Sequence, residues 1–211
     1  NSQSIPIPAA SRRGVKLEHS QRSKNMKLNL GCGNNFKEGY VNVDKYGTPD
    51  IQHDLEIFPW PWEDSSITEI VLSHVLEHLG QNTQIYLRLI QELYRVCEDQ
   101  ALLHITVPHP RHDNFINDPT HVRMITPEGI ALFSKNYNEQ SVDAGHSNSP
   151  LGIYLDVDLE VTDVSMTLDP LWEKERKEKQ LSQSQILSAS KQYNNVITEI
   201  YMAVKIIKPS N

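Results

Sequence analysis

Four of the nine histidines, His104, His109, His112 and His121, crowd one stretch of the chain or its flank. The run from Val107 to Arg123 adds Arg111, Asp113, Asp118 and Arg123. Imidazole titrates near neutrality, so His109, His112 or His121 could take a proton from an acceptor hydroxyl, oriented by Asp118 or Asp113. Arg111 or Arg123 could hold an anionic group on a substrate. The same groups could instead pair with each other and knit a polar loop. A metal site built from His109, His112, Asp113, Asp118 and His121 is a further option, but no helical or cysteine-based ligand spacing marks one. A second pattern, His74-Val-Leu-Glu77-His78, matches the inverted zinc-peptidase signature, which needs both histidines on one helix face. His74 ends an apolar strand pattern, so the stretch reads as strand end plus helix start, with Glu77 in the first turn. A third cluster is Leu30-Gly31-Cys32-Gly33, with Asp44 eleven residues after Gly33. Glycines at a strand end allow a tight turn and let a ligand lie against bare backbone. Asp44 ends the next strand, where a carboxylate can accept two hydrogen bonds from a ribose diol. A dinucleotide fingerprint would put a third glycine at Phe36 and its acid ~20 residues on, so NAD and FAD are disfavoured.

The elements that must position these groups alternate. Strands are predicted at Lys27–Leu30, Val41–Asp44, Ile51–Asp54, Glu69–His74, Ala101–Val107, Asp156–Leu168 and Val196–Ile207. The near-continuous apolar run of Glu69–His74 suits a strand buried on both faces. A helix is predicted at Gln84–Cys97, where Ile85, Leu89, Ile90, Leu93, Val96 and Cys97 share a stripe. Thr126-Pro127-Glu128 is a helix start, with a Thr cap and Pro in the first position. Asn136 to Leu151 is polar and is predicted to be a mobile lid over the acceptor site. Residues 172–193 read as a polar helical insertion whose mixed-charge run, Glu173 to Lys179, forms a solvated helix. Residues 1–25 carry Arg12, Arg13, Lys16, Arg22 and Lys24 against Glu18 and read as a flexible basic tail, with an arm for an acidic partner as the functional option. The domain then spans 26–211. Alternating strands and helices predict an α/β fold with a mostly parallel sheet.

Composition narrows the classes. The 211 residues are 38% hydrophobic and 22% charged, which excludes a collagen, a coiled coil and a fully disordered chain. No apolar run approaches the ~18 residues of a membrane span. The net charge of −7 disfavours bulk nucleic-acid binding. Two cysteines, Cys32 and Cys97, argue against a disulfide scaffold and favour a reducing, cytoplasmic setting. Oligomeric state is not legible.

Taken together, Leu28-Asn-Leu-Gly-Cys-Gly33, Val43-Asp44, Asp54-Leu55, Pro59-Trp-Pro-Trp-Glu-Asp-Ser-Ser66 and Ile70-Val-Leu-Ser-His-Val-Leu-Glu-His-Leu79 resemble class I S-adenosylmethionine-dependent methyltransferases, closest to the type 11-like group. The resemblance implies a Rossmann-like, doubly wound seven-stranded sheet of order 3-2-1-4-5-7-6 with the last strand antiparallel. It implies that Gly31 and Gly33, with Cys32 between them, pass under the methionine part and ribose of the cofactor. Asp44 would bind the ribose hydroxyls, Asp54 and Leu55 would face the adenine, and Ser73 and His74 would border the methyl-transfer site. Asn29 stands where the family often has an acid, so it offers a hydrogen bond but no charge to the cofactor's ammonium. The implied reaction is methyl transfer to a small or medium-sized acceptor such as a sugar, glycan or natural-product hydroxyl, with no metal required. A non-catalytic methyltransferase-like binding subunit is the alternative from another class.

Overall fold

The structure, a computed structural model, describes residues 25–209. The basic tail and its reading as an arm therefore lie outside the described residues, apart from Asn25. Seven strands form one sheet: β1 (Met26–Leu30), β2 (Val41–Asp44), β3 (Ile51–Gln52), β4 (Ile67–Ser73), β5 (Cys97–Pro108), β6 (Leu159–Leu168) and β7 (Ile197–Ile206). Their order is β3-β2-β1-β4-β5-β7-β6. β1 to β5 pair in parallel, and β7 is antiparallel to both β5 and β6. This is the order and the single reversed strand that the class I methyltransferase resemblance implies. β3 stops two residues short of Asp54, and β5 begins at Cys97, ahead of the predicted Ala101.

Strand alternation explains where the core lies. Leu28, Leu30, Ile70, Leu72, Leu103, Ile105, Met202 and Val204 share one face and are buried. Helix α1 (Thr83–Val96) lays Leu89, Ile90, Leu93 and Val96 into the same core, and its Asn82 cap accepts the Gln84 N–H. The other face carries Asn29, Glu69, His104, Thr106 and Tyr201. Among the described residues the β1–β2 and β2–β3 connections contain no helix. The loop after β1 crosses this polar face instead, where the Tyr40 hydroxyl donates to Glu69 and Lys27 pairs with Glu69 at 2.7 Å. A cavity of about 510 Å³ lies there, lined by Asn29, Phe36, Tyr40, Ser73, His104 and Tyr201 among others. The outer strand β6 is exposed along most of its length, and its pairing register slips at Val161/Asp163 and at Thr167/Leu168.

A short helix, α2 (Asp113–Ile116), interrupts the histidine-rich loop. Helix α3 (Pro127–Ala131) starts as its sequence predicts, with the Thr126 side chain accepting the Gly129 N–H. The mobile-lid expectation for 136–151 is not met. Helices α4 (Lys135–Asp143) and α5 (Leu151–Leu155) are tied to the amino edge of the sheet, opposite the ends of β1 and β4. The Lys135 N–H donates to Asp158, the Leu159 N–H to the Phe133 carbonyl, and the Ile207 N–H to the Asp158 carbonyl. The polarity that suggested mobility satisfies internal backbone groups: buried Asn138 donates to the Leu132 carbonyl and accepts from the Ile153 N–H. The predicted insertion is the hairpin α6 (Pro170–Lys179) and α7 (Gln183–Gln192), between β6 and β7 at the carboxyl edge. α6 buries no residue and carries the Glu173–Arg176 and Glu175–Lys179 pairs, as a solvated helix does.

Candidate active site

Strand order reverses between β1 and β4, and open α/β sheets bind ligands beyond the carboxyl ends at such a point. Leu30 and Leu72 are register partners, so Gly31 and Ser73 leave the sheet side by side. Gly31 has φ +64°, and a Cβ there would come within 2.5 Å of Val75 Cγ2. Gly33 has φ +50° and nothing within 4 Å of the place a Cβ would take. The first glycine is thus dictated by packing and backbone together, while the second opens onto free space. The Asp44 carboxylate accepts the Gly33 N–H at 2.9 Å and the Tyr46 N–H at 2.9 Å through its two oxygens. Each oxygen keeps a lone pair for a further donor. Asn29 is buried and donates to Asn42 and to the Asn35 carbonyl, so it braces the glycine loop. Cys32 points inward: its N–H donates to the Val43 carbonyl, and burial together with Asp44 pushes the thiol up. The Asp54 carboxylate caps the Glu56 N–H. The Leu55 side chain is buried in the core and its carbonyl accepts the Trp60 Nε1–H, so neither is free for a ligand.

Ser73 and His74 are exposed at the end of β4, with His74 at φ +56°. His74 reaches Glu199 at 3.1 Å and Glu77 at 3.4 Å, and these carboxylates push its pKa up. A single 3-10 turn, Leu76–His78, follows. His74 and His78 therefore do not share a helix face, and the peptidase reading loses its geometry. The Glu77 carbonyl accepts the N–H groups of both Val122 and Arg123, which draws the histidine-rich loop onto this turn. His78 and His121 then meet with ring centroids 4.6 Å apart and ring planes tilted by 60°. One ring nitrogen from each and a Glu77 carboxylate oxygen lie within 4.8 Å of one another. Asp118 lies at the rim, 3.8 Å from His121 Nε2. Of the five loop residues offered as a metal set, His121 alone joins this group. His112 faces Asp169, which caps α6, and the Asp113 N–H donates to Asn195.

Hydrogen-bond partners fix the histidine tautomers. His121 Nδ1 faces the Phe115 carbonyl at 2.8 Å, so it carries the proton and Nε2 keeps its lone pair. His109 is the reverse: Nδ1 accepts the Arg111 N–H, so the neutral ring holds its proton on Nε2. Burial, Arg111 and His112 push the His109 pKa down. His112 caps α2 by accepting the Asn114 N–H and spends Nε2 on Asp169, so no lone pair remains. Arg111 donates to the Lys191 carbonyl and ties the loop to the hairpin. Arg123 donates to the Gly80 carbonyl and lies 4.1 Å from the Tyr86 ring centre, so it straps the loop down. Sequence reasoning missed Glu199, and it split His78 from His121 because no local spacing joins them.

No family model matches this chain, and no curated protein matches it. Solved structures do. A SAM dependent methyltransferase from Archaeoglobus fulgidus is 17% identical, over 87% of each chain, with a TM-score of 0.49. A methyltransferase described as SAM-dependent from Methanosarcina mazei is 12% identical over 88% of this chain and 94% of its own, at 0.47. The 1,6-didemethyltoxoflavin-N1-methyltransferase of Burkholderia thailandensis is 9% identical over 87% and 71%, at 0.49.

Proposed function

We propose that the protein transfers a methyl group from S-adenosylmethionine to an acceptor hydroxyl on a small molecule or glycan. The observation that carries this reading is the Asp44 carboxylate, held against Gly33 N–H at the switch point with two lone pairs left for a ribose diol. The free space over Gly33 fits a ligand lying on bare backbone. When bound, the cofactor supplies a methyl group already activated by its sulfonium charge. The acceptor oxygen forms the new C–O bond as the C–S bond breaks, and the hydroxyl proton must leave. The chain's part is then to hold two reactants in line and to engage that proton.

Gly31 and Gly33 seat the cofactor, Asp44 holds its ribose, and Asp54 flanks its adenine. Ser73 and His74 border the reacting carbon. His121 engages the acceptor, because it is the only one of His109, His112 and His121 with an uncommitted lone pair. Asp118 orients it. Neutral His109 offers an Nε2–H donor at the same edge, and Arg111 a partly free guanidinium for an anionic substrate group. His112 and Arg123 position the loop. The buried free thiols of Cys32 and Cys97 suit a reducing compartment such as the cytoplasm.

Calorimetric titration of chelator-treated protein with S-adenosylhomocysteine tests the reading. One-to-one binding, weakened in Asp44→Ala, is the expected result. No saturable binding, or equal affinity in the variant, overturns it. A non-catalytic binding subunit would bind the cofactor yet methylate nothing, so loss of methyl transfer in His121→Ala with cofactor affinity kept separates the two.

A further inference from the structure

We infer that Glu77, His78 and His121 form a binding site for a divalent transition-metal cation. Glu77 is fully buried, and both carboxylate oxygens lack a hydrogen-bond partner. Among the described residues no other carboxylate has two buried oxygens in that state. A buried carboxylate without donors is strongly unfavourable, and a cation resolves it. His74 Nδ1 is an ion-pair neighbour 3.4 Å from Glu77 Oε1, shared with Glu199, and it leaves Glu77 Oε2 without a partner.

Both imidazoles are held ready for a metal. His121 Nδ1–H donates to the Phe115 carbonyl, leaving the Nε2 lone pair. The Thr120 hydroxyl donates to Asp118 at 2.6 Å, so it accepts from His78 Nδ1–H at 3.0 Å and leaves Nε2 of His78 open as well. Outer partners of this kind, a carbonyl and a carboxylate reached through a hydroxyl, are what orient metal-bound histidines. One ring nitrogen of each histidine and one Glu77 oxygen lie within 4.8 Å of one another. Tetrahedral zinc holds its ligands about 3.4 Å apart, so small side-chain rotations close the site. Two imidazoles and one carboxylate suit zinc, cobalt or manganese rather than magnesium, which prefers oxygen ligands and water. Three protein ligands leave a tetrahedral position free.

This site deepens the proposed methyl transfer and rests on that reading for its role. An acceptor hydroxyl bound at the free position would lose its proton to solvent more easily, with His121 then serving as a metal ligand in place of taking that proton itself. The substrate class is then one able to coordinate a metal: a vicinal diol, a phosphorylated sugar or a catechol.

The test is direct metal binding. Chelator-treated full chain is titrated with Co²⁺, read by visible d–d absorbance, and with Zn²⁺ and Mg²⁺ by calorimetry. One Co²⁺ or Zn²⁺ per chain is expected, weakened at least about tenfold in Glu77→Gln, His78→Gln and His121→Ala, and unchanged in His146→Ala. Without metal, Glu77→Gln should melt no lower than the parent, since it removes an unpaired buried charge. With zinc, the parent should melt higher than the variant. Absent stoichiometric binding, binding of Mg²⁺ alone, or equal Co²⁺ affinity in Glu77→Gln and the parent overturns the site. Metal uptake without S-adenosylhomocysteine binding keeps the site and sinks the methyl-transfer reading, and the reverse result does the opposite.

Discussion

The proposed function gives Asp44 two tasks, and the residue scale separates them. Its oxygens already hold the Gly33 and Tyr46 N–H groups, and the remaining lone pairs are free for a ligand. Charge-assisted hydrogen bonds are worth roughly 1.5–3 kcal/mol each, so Asp44→Ala should weaken S-adenosylhomocysteine at least about tenfold. Circular dichroism should be unchanged, because the lost contacts lie in a loop. Gly31→Ala should behave differently. The left-handed backbone alone costs about 1–2 kcal/mol for a residue with a Cβ, and Val75 Cγ2 would lie 2.5 Å from the new atom. That variant should lose thermal stability and ligand binding together. A Gly31→Ala protein with the parent's melting temperature would contradict the packing described for the turn.

At the scale of elements, the Trp-rich loop and α1 form one unit. Glu92 is buried and accepts the Trp60 N–H at 2.7 Å and Arg95 Nη2 at 2.8 Å. Arg95 returns bonds to the Trp60 and Trp62 carbonyls. Glu92→Ala would leave the Trp60 amide without its acceptor and Arg95 with Asp64 as its remaining carboxylate. Breaking a buried pair from one side costs about 3 kcal/mol, a fall of roughly 6–12 °C in Tm for a chain of this size. Calorimetric melting checks it, and a shift under 2 °C would count against the network. Elements of this kind were legible in the sequence where their signals are local. Thr126-Pro127 announced its helix, and the apolar runs announced β4 and β5. The place of Asp44 at the end of β2 was legible in the same way. The pairing of His78 with His121 was hidden, because two backbone N–H groups donating to the Glu77 carbonyl create it across a long separation. Residues 136–151 misled because polar side chains can fill a helix's internal contacts as readily as face water.

The whole molecule should answer to pH through His53 and His109 in one direction and through His74, whose pKa is pushed up, in the other. Burial pushes His53 and His109 below the ordinary 6.5. Below that value the unfolded chain takes protons at these sites that the folded chain refuses, so their contribution to stability rises with pH through this window and falls on acidification. The carboxylates Asp50 and Asp118 have pKa values already below 3.8, so their contribution is lost only at lower pH. The gap in Tm between pH 7.5 and pH 5.5 should therefore move in favour of pH 5.5 in a His53→Gln/His109→Gln double variant. An unchanged gap would remove these histidines from the account.

The outer strand β6 has one more consequence. A ten-residue edge with open backbone groups is a template for a further strand. Its two register slips bend that template, and exposed Glu160 and Asp163 put like charges along it. Apolar Val164 and Met166 sit beside them, about 40% exposed. The edge is thus guarded by charge next to an adhesive stripe. Asp163→Val would remove one guard, and the protein should then assemble into thioflavin-positive fibres at concentrations where the parent stays clear.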